Sequence, residues 1–370
     1  MVKLVVIEED LKHNIDKIKK HINSDEIKKE KVEIIAVVKA NSYGLGLVEY
    51  TKLLIEKGIS YFAVATVEEA IELRKNNIKG KILMLSATAI KEDIELLADN
   101  NIILTVGSKE DIEAADDVCE RLNKKVNVHL KIDTGFGRYG FIYQEKEKVK
   151  EALVKLKNIN IIGTYSHFSI SFYDDKYTKL QYNRFMEVVE YLKQNNINTG
   201  MLHICNSSAA LKSKEYHLNA VRIGSAFLGR LSFINTIGLK KIGYLESKVT
   251  EIKKLPKGFN VGYSNIYKTK KETDIAVIPV GYMNGLNVKK DKDMFRFIDK
   301  LRYISEDLKR LFKNNDMYIK INEKRCKVLG KIGTYHITCD ITAKDIKIGD
   351  VTRININPKF VDSSIRREYR

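Results

Sequence analysis

The chain has 370 residues, 44% hydrophobic and 31% charged, with 21 Gly and 3 Pro. That is enough apolar mass for a sizeable core, which excludes wholesale disorder and collagen-like structure, and the length suits two domains or one large barrel with a cap. Lys and Arg number 65 against 48 Asp and Glu, a net charge of +17. The lysines are scattered, usually beside Glu or Asp, with no Arg-rich stripe interleaved with aromatics and no Trp. We therefore expect no nucleic-acid partner and a positive field that attracts small anions, phosphate esters and carboxylates among them. No apolar run approaches the ~18 residues of a membrane span. The opening MVKLVVIEEDLKHN turns acidic at Glu8 before a signal-peptide core forms. The expectation is a cytoplasmic protein with no membrane partner. Cys119, Cys205, Cys326 and Cys339 stand far apart with no CxxC pair or zinc spacing, which reads as reduced structural thiols and no metal site.

A helix over 8–22 is followed by β-type runs at 33–39, 61–66, 81–86, 101–107, 126–133, 159–167, 202–205 and 220–224. Amphipathic stretches with apolar residues at i, i+3 and i+4 separate them, at 48–58, 67–77, 91–100, 109–125, 146–157 and 182–196. Strict β/α alternation demands a parallel sheet with right-handed crossovers, and eight units in about 225 residues predict a (β/α)8 TIM barrel rather than an open sheet. No GxGxxG follows the first strand, which counts against a dinucleotide fold. After residue 235 helical alternation stops and β-type runs punctuated by Gly262, Gly281, Gly285, Gly330 and Gly349 take over. The predicted organisation is a barrel over 1–235, its first few residues pairing with the following domain, and a mainly-β domain over 236–370. A basic segment, 288–315, breaks that domain and reads as an amphipathic helix, either a solvated face or a partner-binding surface.

Chemistry in a parallel barrel sits on the loops at the strands' C-terminal ends. The first strand ends at Lys39. A lysine closing an apolar run is either a snorkelling surface residue or a partly desolvated amine suited to a Schiff base. The fifth ends in LKIDTGFGRYGF, presenting Lys131, Asp133 and, after a Gly-rich flexible turn, Arg138, which suits a bidentate grip on a carboxylate. The sixth presents His167, a satisfied core residue or a site group. CNSSA offers Asn206 and Ser207 at a helix start, and VRIGS offers Arg222, Gly224 and Ser225. Free N–H groups after Gly224 and the hydroxyls of Ser207 and Ser225 would form an anion cup. A lysine, two arginines, a histidine and such a cup on one rim suit an enzyme that uses pyridoxal phosphate.

AVVKANSYGLG, VHLKIDTGFGRYGF, SHFS, CNSSA, VRIGS, VGYSNIY and IPVGYMNG stand in an order that resembles the alanine racemases, over about residues 3–358. The resemblance implies a fold-type III enzyme with pyridoxal 5'-phosphate in the barrel, a small amino-acid substrate, and a homodimer with shared active sites. By motif, Lys39 resembles the coenzyme lysine and one catalytic base, and Tyr263 the second base, reaching into the partner subunit's barrel. Tyr43, Ser207, Gly224 and Ser225 match the phosphate shell. Arg222 matches the arginine at the pyridine nitrogen, with His167 bridging towards the tyrosine. Arg138 matches the substrate-carboxylate arginine, and Lys131 a lysine often carbamylated in the family. Inverting a stereocentre needs a base on each face of Cα, which the lysine and tyrosine supply.

The sequence also departs from the family pattern. Leu45 replaces a histidine, GYADG reads GYMNG with Met283 and Asn284, and Cys-Met-Asp reads Gly333-Thr334-Tyr335. Thr334 retains a backbone N–H for the substrate carboxylate, while the lost aspartate leaves side-chain selectivity open between alanine, serine and a broader range. A C-terminal phosphate tyrosine aligns loosely with Asn357. A decarboxylase of this fold would carry a cysteine as second base, and a coenzyme carrier would be a barrel alone. Tyr263 and the second domain argue against both.

Overall fold

The computed structural model describes residues 1–24, 31–154, 156–291, 297–311 and 316–370. It divides into two compact units, Glu8–Ile242 and Met1–Ile7 with Gly243–Arg370. The expected (β/α)8 barrel forms the first. Its strands are β2 (Glu33–Val37), β3 (Tyr61–Val64), β4 (Lys81–Met84), β5 (Leu104–Val106), β6 (Val126–Asp133), β8 (Ile159–Tyr165), β9 (Met201–His203) and β10 (Ala220–Ile223). They pair in the order β4-β3-β2-β10-β9-β8-β6-β5, all parallel, with the two-residue β7 (Phe141–Ile142) beside β6. Ile103 closes the ring: it accepts from the Met84 N–H at 2.9 Å and donates to Ile82 O at 2.8 Å.

Strands covered on both faces read as near-continuous apolar runs, and Tyr61–Val64 is buried at every position. Ile35, Val37, Ala63, Leu83, Ile103 and Ala220 pack as one cluster. Several crossover helices begin on a side-chain cap, which fixes the loops that follow the strands. Thr66 accepts from Glu69 N, Ser108 from Asp111 N and Asp174 from Tyr177 N. The barrel unit extends past residue 235 because the tail folds back on the first helix. Asn14 donates to Phe227 O and Lys240 O and accepts from Lys240 N, at 2.7–2.8 Å.

The second unit is an antiparallel sheet, as the mainly-β pattern requires. Its strands are β1 (Lys3–Val6), β11 (Tyr244–Lys248), β12 (Glu251–Leu255), β13 (Thr273–Ile278), β14 (Tyr318–Ile321), β15 (Lys324–Leu329), β16 (Ile337–Asp340), β17 (Val351–Asn355) and β18 (Arg366–Tyr369). The order is β12-β13-β16-β15-β14-β17-β11-β1-β18, with β1–β18 parallel. The segment expected to be helical over 288–315 is helical at Phe297–Leu311. Residues 288–291 are not helical, since Lys289, Lys290 and Asp291 supply no apolar face, and 292–296 and 312–315 lie outside the described residues. All four cysteines are free and buried, and burial pushes the Cys119 thiol up to about 11.

Strand β1 comes from the far end of the chain, and Leu4 within it has no exposed surface. Leu4→Ala should cost about 3 kcal/mol, the range for a buried leucine whose site cannot collapse. Thermal unfolding should show the lowered midpoint.

Candidate active site

A cavity of about 470 Å³ is lined by Lys39, Tyr43, Lys131, Arg138, Tyr165, His167, Ser207, Arg222, Gly224 and Ser225. The structure thus gathers the barrel residues singled out from sequence into one place. A larger cleft of about 660 Å³ lies between the helices Lys109–Arg121 and Lys146–Val154. Its lining is rich in carboxylates, Glu110, Glu113, Asp116 and Asp117 among them, which repel the anions the barrel cavity suits. Chemistry rather than size selects the site.

Lys39 opens a turn in which Ala40, Asn41, Ser42 and Tyr43 have φ of 55°, 52°, 53° and 55°. Left-handed backbone costs ordinary residues roughly 1–2 kcal/mol each, and it persists where the surroundings over-determine it. Here Asn41 Oδ1 accepts from Leu47 N at 2.7 Å. Glu69 bridges the base, accepting from Asn41 N at 3.3 Å and Ala65 N at 3.1 Å. Ser42 N and Gly44 N donate to Val38 O and Ala40 O. The turn sets Lys39 and Tyr43 on the cavity wall.

At the anion end, the Gly224 N–H donates to Ser207 Oγ at 3.0 Å. A Cβ on Gly224 would stand 2.2 Å from the Tyr43 hydroxyl, so glycine alone lets phenol and backbone close on one another. Burial, with a smaller push from Glu69, raises the Tyr43 phenol to about 12, so it stays protonated and can donate. Asn206 caps the helix that Ser207 opens, accepting from Ala209 N at 3.0 Å.

Arg222 is buried at the end of β10. Nη1 donates to His203 Nδ1 at 2.6 Å, and Nη2 donates to His167 Nδ1 at 2.9 Å and to Ser166 O and Ile204 O. Arginine can only donate, so both imidazoles present a lone pair at Nδ1 and keep their proton on Nε2. His203 Nε2–H then donates to His129 Nδ1 at 2.8 Å, and His129 Nε2–H to the Tyr61 oxygen at 2.7 Å. Burial, reinforced by the Arg222 charge, holds His167 and His203 well below the usual imidazole range and His129 down at about 3. Burial brings Arg222 itself to about 10, still cationic at neutral pH. Tyr165 stacks on His203 at 4.8 Å and 6°, and its hydroxyl meets Thr105 Oγ1 at 2.9 Å.

Lys131 is buried with its amine 4.3 Å from the Tyr165 ring centroid. Burial, then the charges of Arg222 and Arg138, drives it well below the ordinary lysine value. The loop that follows is not the flexible turn expected from its glycines. The Asp133 carboxylate accepts from the N–H groups of Gly135, Phe136, Gly137 and Arg138 at 2.8–3.2 Å. Burial alone would raise that carboxyl, but the four donors outweigh it and hold it low. Arg138 lies over the Phe136 ring at 4.5 Å.

Tyr263 and Thr334 belong to the second unit. Tyr263 is 64% exposed on a turn where Gly262, Ser264 and Asn265 have φ of 75°, 63° and 51°. Its ring lies 3.6 Å from where a Cβ on Gly333 would stand. Thr334 Oγ1 hydrogen-bonds the Tyr282 hydroxyl at 3.0 Å, a partner not foreseen from sequence. Asn357 accepts locally from Lys359 N. His129, His203, Tyr61, Tyr165 and the Asn41–Glu69 clamp also escaped sequence reading. A signal existed for His129, two residues before Lys131 and so on its face of the strand.

Asn41→Ala removes the Oδ1 that accepts from Leu47 N and the side chain that best tolerates left-handed backbone, while the backbone N–H that Glu69 accepts stays, so it should cost about 2 kcal/mol in urea unfolding. The three histidines refuse protons that the unfolded chain accepts below about pH 6.5. Stability should therefore fall from about pH 6.5 towards acid, by up to ~1.4 kcal/mol per pH unit for each, and His129→Gln should flatten that slope.

Comparison with known proteins agrees with this architecture. The family model for the alanine racemase N-terminal domain matches residues 7–231, and that for the C-terminal domain residues 242–361. An alanine racemase of Carboxydothermus hydrogenoformans is 38% identical over 75% of this chain and 74% of its own length. One of Fusobacterium nucleatum is 35% identical over 96% of this chain and 91% of its own. A solved alanine racemase of Clostridium difficile 630 superposes with a TM-score of 0.85 at 26% identity, covering 100% of this chain and 95% of that one. With both domain models matched and the barrel-plus-sheet fold in common, the chain belongs to the alanine racemase family and is an isomerase of the amino-acid racemase class.

Proposed function

We propose that the barrel cavity holds pyridoxal 5'-phosphate and that the enzyme interconverts L- and D-alanine with two bases, Lys39 and Tyr263 of a second copy of the chain. The observation that carries this reading is a lysine, an anion cradle and a buried arginine lining one cavity. The residues fit such a group. The cavity has the volume of a small-ligand site, and the Gly224–Tyr43–Ser207 cradle is closed to any side chain at 224. Both terminal nitrogens of Arg222 are spent on protein acceptors. Its Nε has no hydrogen-bond partner among the described residues and suits a ring-nitrogen acceptor. When bound, the coenzyme would withdraw electrons from the substrate and acidify the hydrogen on Cα.

The residues then divide the work. Tyr43, Ser207, Ser225 and the backbone at Gly224 hold the phosphate. Arg222 fixes the ring end as a permanent donor, and His167, neutral with its proton on Nε2, donates toward the phenol of the partner's tyrosine. Arg138 pairs with the substrate carboxylate and Thr334 offers its backbone N–H to the same group. Carbamylation of Lys131, whose amine burial and the charges of Arg222 and Arg138 depress, would place an anion beside those guanidiniums and steady Arg138. The lysine moves the Cα proton on one face and the tyrosine on the other. Exposure of Tyr263 on its rigid turn supports a role outside its own unit. Serine is a second reading, favoured by the hydroxyl pair Thr334–Tyr282.

Incubating the protein and pyridoxal phosphate with single L-amino acids, then separating enantiomers by chiral chromatography, should yield D-alanine. Equal or greater D-serine would favour the second reading. Lys39→Ala should lose both turnover and the visible absorption of the loaded protein. Tyr263→Phe should keep the colour and lose at least ~100-fold in turnover of the L-enantiomer, the usual scale of a missing proton-transfer group. Mixed dimers of the two variants should regain partial activity, and normal turnover by Tyr263→Phe would refute the two-base scheme.

A further inference from the structure

Phe136 stands on the loop that carries Arg138 and has no group that could move a proton. Gly135 and Gly137 flank it with φ of 119° and 73°, which lets the backbone curl around the Asp133 carboxylate. The curl is anchored from outside by Tyr177, Gln181 and Arg184, which share one face of the helix Asp175–Gln194. The Tyr177 hydroxyl donates to Gly135 O at 3.2 Å, and Arg184 Nη1 to Thr134 O at 3.0 Å. Gln181 Nε2 donates to both Thr134 Oγ1 and His167 O at 3.3 Å. Gln181 is fully buried, so this tie between the Arg138 loop and the His167 segment is shielded from water.

Held in this way, the Phe136 ring meets two groups of the site at once. The Arg138 guanidinium lies over it with Cζ 4.5 Å from the centroid, and the His167 ring packs against it at 5.2 Å and 75°. Among the described residues the Arg138 side chain donates no hydrogen bond. A ring face holds a cation without using its N–H groups, which leaves the guanidinium fork open to a planar carboxylate. Arg222 shows the contrast, since carbonyls and imidazoles occupy both of its terminal nitrogens. We propose that Phe136 is a positioning residue for substrate binding, a role that rests on Arg138 taking the substrate carboxylate. Its ring face holds the guanidinium at a fixed place beside His167, so the incoming amino acid meets a preformed receptor. Leucine at 136 would keep apolar bulk and offer no ring face, and each substrate would then have to order the arginine itself.

Propionate, which is alanine without its amino group, probes the carboxylate contact alone. Titrated calorimetrically into the protein loaded with pyridoxal phosphate, it should bind Phe136→Leu about fivefold more weakly than wild type, the scale of immobilising one long side chain. Phe136→Tyr keeps the ring and should bind propionate as wild type does, while Arg138→Leu should lose it. In steady-state racemisation Phe136→Leu should raise KM for alanine by a similar factor, about fivefold, with kcat within about twofold, the pattern of lost uniform binding. Phe136 is 36% exposed, so all three variants should keep the wild-type circular dichroism. Unchanged propionate affinity in Phe136→Leu, with binding lost in Arg138→Leu, would overturn the role of Phe136. Equal weakening in Phe136→Tyr would overturn it as well, because the ring would still be present. Full propionate binding by Arg138→Leu would instead refute the assignment of Arg138 to the substrate carboxylate.

Discussion

A guanidinium buried inside a barrel must have its donors answered, because stranding a buried charge costs about 3–5 kcal/mol. Arg222 meets that demand with three backbone carbonyls and two imidazoles. Since a guanidinium donates hydrogen bonds and never accepts them, the contact fixes the tautomer of both imidazoles it touches. His167 and His203 each turn a lone pair inward, and the choice propagates through His129 to Tyr61. The same fixed charge helps keep the three histidines neutral and Lys131 far from its solution value. Burial and this one charge at the tip of β10 together shape the electrostatics of the cavity.

The opposite wall depends on backbone rather than charge. Four consecutive residues in left-handed backbone cost roughly 4–8 kcal/mol in total, comparable with the whole stability of a typical domain. Such a turn forms because the barrel around it is already built. Val38 is bonded to β3, Glu69 reaches across from the next helix, and Asn41 tolerates the conformation better than most residues. A lysine displayed on a relaxed loop would sample many rotamers. On this turn it is committed to the cavity, with Tyr43 pinned by contact with the bare Gly224 backbone.

The sequence was most legible where a single period dominates. All eight barrel strands and the helix Glu8–Ile22 follow from alternation of apolar runs and amphipathic stretches, because burial on both faces leaves little freedom in composition. The rim residues were legible for a different reason: barrel topology places every strand end on one face, so Lys39, Arg138, His167 and Arg222 converge once the strands are placed. What escaped reading depends on contacts distant in sequence. The Tyr61–His129–His203 chain joins β3, β6 and β9, and each member alone looks like an ordinary core residue. Asp133 looked like a strand end, and its four N–H contacts emerge only when the loop curls back. Of the helix expected over 288–315, residues 288–291 do not form it, because charge without apolar periodicity offers no face to bury.

Tyr263 poses the converse problem, an exposed phenol on a loop. Precision there comes from backbone restriction, since Gly262, Ser264 and Asn265 sit in left-handed backbone and fix the chain direction on either side of the phenol. It also comes from a neighbour without a side chain. The ring packs where a Cβ at 333 would come within 3.6 Å, and Gly333 in turn accepts from Tyr282 N at 3.1 Å. Tyr282 then meets the Thr334 hydroxyl. Three segments far apart in sequence, around 263, 282 and 334, are thereby locked into one surface of the sheet. A change at Thr334 would be felt at Tyr282, and a side chain at 333 would be felt at the phenol. The Tyr263 phenol and the Thr334–Tyr282 hydroxyl pair therefore share one structural support, and a substitution that displaces one will displace the other.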